Sequence, residues 1–130
     1  MAIIQFQILE AFMIEELVAR VFKTRNQAHL AHWKTKSYAE HKALGSFYDD
    51  VIDILDKLVE ACQGSKGIIG HVDLSCKDES VDIIKCLTED ANWISKNRTK
   101  VAHGVPAIEN IIDELVGTYL STLYKLKNLS

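Results

Sequence analysis

Two histidines and two carboxylates are the residues of this sequence whose types and spacing suit metal chemistry. His32 precedes a tryptophan, Trp33, and His41 follows nine residues after His32. Asp56 and Glu60 lie four residues apart, further along the chain. Imidazole and carboxylate together suit borderline divalent ions such as Fe(II), Mn(II) or Zn(II). These four residues are therefore the candidate metal ligands.

The spacing of these ligands along a helix limits which of them can share one ion. Ser37 opens an S-x-x-E pattern, a capping box, which predicts that a helix begins there. Asp56 lies fifteen residues after His41, which is roughly 22 Å along a helix axis. Since a ligand lies roughly 2 Å from its ion, these two residues of one chain cannot hold the same metal. Asp56 and Glu60 share a helix face, and His32 meets His41 if the chain reverses between their helices.

The chain thus carries two half-sites, one of histidines and one of carboxylates. Two antiparallel copies related by a two-fold axis would complete both, because contact of residue i with j in such a pair also brings j to i. Di-iron proteins that build a site inside one bundle use Glu-x-x-His on two helices, and this motif does not occur in the sequence. We therefore predict a metal site between subunits.

These residues resemble the signature of the mini-ferritins, or Dps (DNA protection in starved cells) proteins, which are ferritin-like. The signature is a His-Trp at the end of the first helix, a second His, an Asp fifteen residues later and a Glu four residues after that. Here these positions are His32-Trp33, His41, Asp56 and Glu60. The resemblance implies an inter-subunit ferroxidase site that oxidises Fe(II), with peroxide as the preferred oxidant, and storage of the iron inside a dodecameric cage.

Two departures from the family pattern bear on this resemblance. Many members carry an acidic residue four positions after the second histidine, for a second iron, whereas this chain has Gly45. The resemblance therefore implies one intact metal position. Members that bind DNA commonly use a basic N-terminal tail, and no lysine or arginine precedes Arg20. DNA binding through a tail is not expected.

Composition places the chain among ordinary globular proteins. Its 130 residues are 48% hydrophobic and 25% charged, which predicts one domain spanning residues 1–130. A net charge of -3 argues against sequence-independent binding to the DNA backbone. Three cysteines and no signal-peptide pattern predict a reducing cytoplasm. No apolar run reaches the roughly eighteen residues that a membrane helix needs.

Apolar residues recur at steps of three and four, which predicts four amphipathic helices. We place them at residues 1–36, about 38–61, about 78–96 and from about 106 to the end. Residues 63–77 are predicted as an irregular or short helical segment between the second and third helices. The predicted fold is an all-α, ferritin-like four-helix bundle. Helix two should also carry an acidic stripe of Asp49, Asp53, Asp56 and Glu60, either as a solvated face or, at Asp49 and Asp53, as a route for iron.

The sequence is also compatible with two other functions. Arg98 and His103 have the R-x4-H form of HEPN nucleases, in which arginine and histidine act on an RNA phosphodiester with histidine as general acid-base. This stretch is predicted to be a loop. The chain could also be a metal-free structural relative that keeps the fold without the oxidation chemistry.

Several other residues of suitable chemistry receive no site assignment. His29 is expected to pack or face solvent, and Trp33 to lie in the core, or beside a peroxide-activating metal as an electron donor. The spacing of the remaining cysteines and histidines is too loose for zinc, so the cysteines are expected as free thiols. These residues are Cys62, Cys76, Cys86, His71 and His103.

Overall fold

The helices predicted from the sequence dominate the structure. The computed structural model describes the backbone of residues 2–75 and 82–130, with side chains from residue 13 onward. Within these ranges the chain forms five helices and no strand, which confirms the all-α prediction. The helices are α1 (Ala2–Lys34), α2 (Tyr38–Lys66), α3 (Ile83–Lys96), α4 (Arg98–Ala102) and α5 (Pro106–Asn128).

The start of α2 follows the capping pattern in the sequence. The Ser37 hydroxyl accepts a hydrogen bond from the backbone N–H of Glu40 at 3.2 Å, which satisfies one of the free donors at the helix N-terminus. The helix continues to Lys66, five residues beyond the predicted end. It stops where Gly67 adopts a φ of 105°, in the region that favours glycine.

The third and fourth helices differ from the prediction. Helix α3 begins at Ile83, because the Asp82 carboxylate caps it by accepting from the N–H groups of Ile84 and Lys85. The predicted start near residue 78 lies outside the described residues. Residues 98–102, predicted as a loop, form the short helix α4, which ends where His103 and Gly104 adopt positive φ. Helix α5 begins at Pro106, as predicted.

The five helices pack against one another around one hydrophobic core. Helix α1 packs against α2 and α3, α5 also packs against α2 and α3, and α4 contacts α1, α3 and α5. Fully buried side chains from the four long helices meet in one core: Leu17, Val21, Leu44, Phe47, Val51, Leu58, Leu87, Ile94, Ile112, Leu115 and Tyr119. This core sets where the ends of α1 and α2 lie. None of the helices in the described residues is both long and apolar enough to cross a membrane.

A buried polar network ties three of these helices together. The Asp90 carboxylate on α3 accepts hydrogen bonds from the hydroxyls of Thr24 on α1 and Tyr119 on α5, the latter at 3.0 Å. The Arg20 guanidinium lies 3.7 Å away. Burial raises the pKa of Asp90, while the two hydroxyl donors and the positive charges of Arg20 and Lys23 work in the opposite direction. The sequence pattern gave no sign of this network.

Candidate metal site

The turn between α1 and α2 brings the two candidate histidines into contact. His32 lies in the last turn of α1, and His41 in the first turn of α2. Their rings stack, with centroids 3.7 Å apart and planes inclined by 17°. Residues that are nine positions apart thus form one stacked histidine pair at this end of the molecule.

Reciprocal hydrogen bonds hold the two rings. His32 Nδ1 lies 2.6 Å from the backbone oxygen of His41, and His41 Nδ1 lies 2.8 Å from the backbone oxygen of His32. A carbonyl oxygen only accepts, so each Nδ1 carries the proton and donates it. In a neutral imidazole with Nδ1 protonated, Nε2 keeps its lone pair, and backbone carbonyls commonly orient metal-binding histidines in this way. In this tautomer Nδ1 is engaged and Nε2 is the lone-pair nitrogen of each ring.

Gly45 provides the space that the His32 ring occupies. A Cβ added at Gly45 would lie 3.0 Å from Cε1 and 3.2 Å from Nδ1 of His32. These contacts are tighter than ordinary van der Waals contact, so the His32 ring must shift slightly to admit any side chain at this position. The Cβ of the acidic residue that the Dps pattern places here would crowd the His32 ring in its present position.

If the histidine pair binds a metal ion, Gly45→Ala should weaken that binding while leaving the helix intact. Alanine stabilises a helix interior by about 1 kcal/mol relative to glycine, whereas the new methyl group crowds the His32 ring and makes it shift from the position in which it bonds to His41. A calorimetric Zn(II) titration combined with circular dichroism would check this. Gly64→Ala is the matched control, because nothing lies within 4 Å of a Cβ at Gly64. Unchanged Zn(II) affinity in Gly45→Ala would show that the ring position does not matter.

An aromatic cluster surrounds the histidine pair. His29 stacks on Tyr48, with centroids 3.9 Å apart and planes inclined by 13°, and Trp33 packs on His29 at 4.3 Å. Burial lowers the pKa of His29, and the positive charge of Arg25 and the neighbouring His32 lower it further. His29 thus packs, as expected. Trp33 is 66% exposed, so its expected place in the core was wrong.

The candidate carboxylates lie elsewhere on the same helix as His41. Asp56 and Glu60 are exposed, on the outer face of α2, as are Asp49 and Asp53. The distance along α2 keeps them from reaching the histidine pair of their own chain. Within the described residues, no group of three or more histidine, cysteine, aspartate or glutamate side chains could hold a metal. Within one chain, the structure therefore brings His32 and His41 together but keeps Asp56 and Glu60 apart from them.

Arg98, the arginine of the nuclease alternative, is engaged in ion pairs between α4 and α5. Its Nε and Nη2 donate to the two carboxylate oxygens of Asp113 at 2.6 and 2.8 Å, and its Nη1 donates to Glu109 at 3.2 Å. These bonds raise the pKa of Arg98 and lower that of Asp113. His103 is the residue that ends α4 in the left-handed conformation. Both residues thus have evident structural roles.

The thiols that the structure describes form no disulfide. Cys62 is buried and Cys86 half-buried, and both are free. Burial raises the pKa of each, and the nearby carboxylates of Glu15 and Asp90 respectively raise it further. His71 is exposed. Cys76 lies outside the described residues.

Comparison with known proteins places the chain in a family. The model of DUF5856, described as a family of unknown function, matches residues 32–126, which is more than half of the chain. The chain belongs to the DUF5856 family. A relative of this DUF5856 protein, the uncharacterized 14.6 kDa protein in the mobD-ri intergenic region of Enterobacteria phage T4, is 27% identical over 116 residues, or 86% of each chain. No solved structure gives a significant match.

Membership of DUF5856 corrects the identification as a Dps protein, which was wrong. The family match and the phage relative give no link to Dps or to ferritin-like proteins. The resemblance rested on a few residue types spaced over about thirty positions. Spacings of four along a helix arise in any protein that has a polar helix face. The region matched by DUF5856 contains all four candidate ligands.

Proposed function

We propose that this DUF5856 protein binds a divalent transition metal between two copies of the chain. His32 and His41 of one copy and Asp56 and Glu60 of the other are the ligands. The reciprocal bonds that leave both Nε2 atoms as lone-pair donors are the observation that carries the proposal. Two imidazoles alone make an incomplete site, because such metals take four or more ligands.

Charge and exposure at the hairpin end support association with a second copy. Trp33 and Tyr38 are 66% and 75% exposed there, and large apolar side chains grouped on a surface mark interaction sites. Three exposed lysines lie close in sequence to the histidine pair, at positions 34, 36 and 42, and are opposite in sign to the acidic stripe further along α2. In an antiparallel pair of copies, each basic end meets an acidic stripe.

The minimal assembly that the proposal needs is a two-fold dimer. The expectation of a dodecameric cage depended on the Dps resemblance, and a cage is not part of the proposal. Within each subunit we propose that α1, α2, α3 and α5 act as a four-helix bundle, supported by the ring of packing contacts that these helices make. We also propose a reducing cytoplasm as the compartment, supported by the free thiols Cys62 and Cys86.

Fe(II) is the substrate that gives this site an enzymatic activity, and Zn(II) or Mn(II) could occupy the same ligands. Two histidines and two carboxylates leave coordination positions for an oxidant. Peroxide accepts one electron from each of two Fe(II) ions and takes up two protons to give two waters, so the two single-ion sites of one dimer together would reduce one peroxide. Carboxylate oxygen favours the harder Fe(III) ion, so Asp56 and Glu60 would stabilise the oxidised product relative to Fe(II).

Measuring mass in solution with and without Zn(II), which undergoes no redox change, tests the proposal. We expect Zn(II) to shift the chain toward a dimer and to bind with one ion per chain, because a two-fold pair completes two sites. His32→Ala should abolish the shift. The control His71→Ala changes an exposed histidine outside the site and should leave the shift intact. Failure of Zn(II) to bind would instead favour a metal-free structural protein.

A further inference from the structure

The side of α5 that faces away from the bundle carries two large apolar side chains. Leu120 and Tyr124 are 55% and 58% exposed, and they lie four residues apart, so they share one face of the helix. The opposite side of α5, which includes Tyr119 and Leu123, packs into the core. Apolar side chains that are grouped on a surface mark interaction sites. This face of α5 is therefore a candidate docking surface.

A gap lies beside these two side chains, at Gly117. This residue precedes Leu120 by three positions and lies on the same face of α5. Nothing lies within 4 Å of a Cβ added at Gly117. Gly117 also lines a groove of about 210 Å³ between α5 and α2, together with small residues such as Ser46 and Ser121. Gly117, Leu120 and Tyr124, which we call the outer face of α5, thus combine a projecting ring with a gap.

The ring and the gap match each other in two antiparallel copies of α5. A two-fold axis at Leu120 sets this residue against itself and brings residues equidistant from it to the same level. Tyr124 lies four residues after Leu120, and Gly117 lies three residues before it. The ring of one copy and the gap of the other therefore differ in level by one residue, or about 1.5 Å. Each Tyr124 can enter the gap at Gly117 of the other copy, as a knob enters a hole.

The charges along α5 favour the same antiparallel direction. Asp113 and Lys127 lie seven residues before and seven residues after Leu120. Glu114 and Lys125 lie six residues before and five residues after it. Each acidic residue of one copy is thus nearly level with a lysine of the other, whereas parallel copies would place like charges together. The charge pattern of α5 is therefore complementary to itself under a two-fold axis.

These charges set the direction of the contact more than its strength. Asp113 already pairs with Arg98, and Glu114 pairs with Lys57, although each carboxylate remains 52% exposed. Exposed ion pairs contribute little to affinity. One face of one helix also buries less than the roughly 1,200 Å² at which stable interfaces begin. The contact should therefore form only at high protein concentration.

We propose that the outer face of α5 binds the same face of a second copy of this chain, in a weak antiparallel dimer centred on Leu120. Contact between the two Leu120 side chains and insertion of Tyr124 at Gly117 supply the affinity. The metal proposal uses residues of α1 and α2, so this interface is independent of it. A chelator separates the two kinds of association, because the α5 contact needs no metal.

Sedimentation equilibrium of the metal-free chain, with a chelator present and at concentrations up to about 1 mM, tests the proposal. We expect the mean mass to rise with concentration toward that of two chains. Leu120→Asp should abolish this rise, because it sets two carboxylates against each other at the two-fold axis. Ile68→Asp is the matched control, since Ile68 is an apolar residue that is 84% exposed in the loop after α2. This control should dimerise like the unmodified chain.

A charge exchange tests the direction of the two helices. Lys125→Glu should weaken the dimer by about fivefold, because two symmetric ion pairs become repulsive, and adding Glu114→Lys should restore it. Lys125 and Glu114 lie eleven positions apart, roughly 16 Å along α5, so they cannot pair within one chain. A chain that stays monomeric at about 1 mM, a dimer that survives Leu120→Asp, an equal loss in Ile68→Asp, or no recovery in the double variant would each overturn the proposal.

Discussion

Replacing Asp56 by asparagine and Glu60 by glutamine is expected to abolish peroxide-dependent oxidation of Fe(II) and to remove metal-induced dimerisation. Both side chains are exposed, so the helices should form as before. The amides keep the size of the carboxylates but lose the negative charge that Fe(III) requires. The rise in Fe(III) absorbance after peroxide addition measures the loss, and circular dichroism verifies the helices.

The acidic stripe provides a matched control for this variant. Asp49→Asn with Asp53→Asn removes the same charge from the same face of α2. If the ligand assignment is right, this variant should keep most of the oxidation rate, whereas a non-specific requirement for negative charge would slow both variants equally. Oxidation at the unmodified rate in the Asp56, Glu60 variant would remove the carboxylates from the site.

Asp90→Ala is expected to be the most destabilising of the substitutions considered, by about 3 kcal/mol. The change leaves the buried hydroxyls of Thr24 and Tyr119 without their acceptor, and each orphaned buried group costs roughly 1–3 kcal/mol. Loss of the unfavourably buried charge offsets part of this cost. Urea unfolding followed by circular dichroism gives the difference. Glu89→Ala, at the adjacent exposed position, should change stability by less than about 0.5 kcal/mol, and an equal loss in both variants would contradict the role of the network.

The same carboxylate predicts a pH dependence with a definite sign. Burial raises the pKa of Asp90 in the folded chain above its ordinary value of 3.8. The folded state therefore binds the Asp90 proton more tightly than the unfolded state does. The contribution of this protonation to the free energy of unfolding is complete below pH 3.8 and is lost as pH rises through the folded-state pKa. The unmodified chain should thus lose stability relative to Asp90→Asn as pH rises above about 4. The lowered pKa of Asp113 acts in the opposite direction, but it is common to both chains and cancels in the difference.

Local signals in the sequence were sufficient to predict most of the helices and the contact between His32 and His41. The apolar periodicity, the Ser37 cap and Pro106 predicted three of the four long helices closely. Because the chain reverses just before Ser37, the end of α1 lies beside the start of α2, and His32 lies near His41. The reciprocal backbone bonds that fix both rings depend on how closely α1 and α2 approach at Gly45, and no spacing rule predicts such an approach.

The features that the sequence did not predict depend on contacts between distant residues. Asp90 lies 66 positions from Thr24, and nothing near Asp90 distinguishes a buried aspartate from an exposed one. The ion pairs of Arg98 with α5 favour a short helix where glycine and proline nearby had suggested a loop. Trp33 was expected in the core because of its residue type, yet its place at the end of α1 leaves it on the surface. The Dps identification failed because side-chain spacing alone does not define a family.

Mixing two inactive variants tests the inter-subunit site most directly. One variant carries His32→Ala and His41→Ala, and the other carries Asp56→Asn and Glu60→Gln. In a mixed dimer, the intact histidines of one chain meet the intact carboxylates of the other, so one of the two sites is restored. After subunits exchange at equal concentration, half of the dimers are mixed, and we expect about a quarter of the Zn(II) capacity and Fe(II) oxidation of the unmodified protein. Mixtures no more active than the separate variants, measured where the unmodified chain is dimeric, would contradict a site shared between two copies.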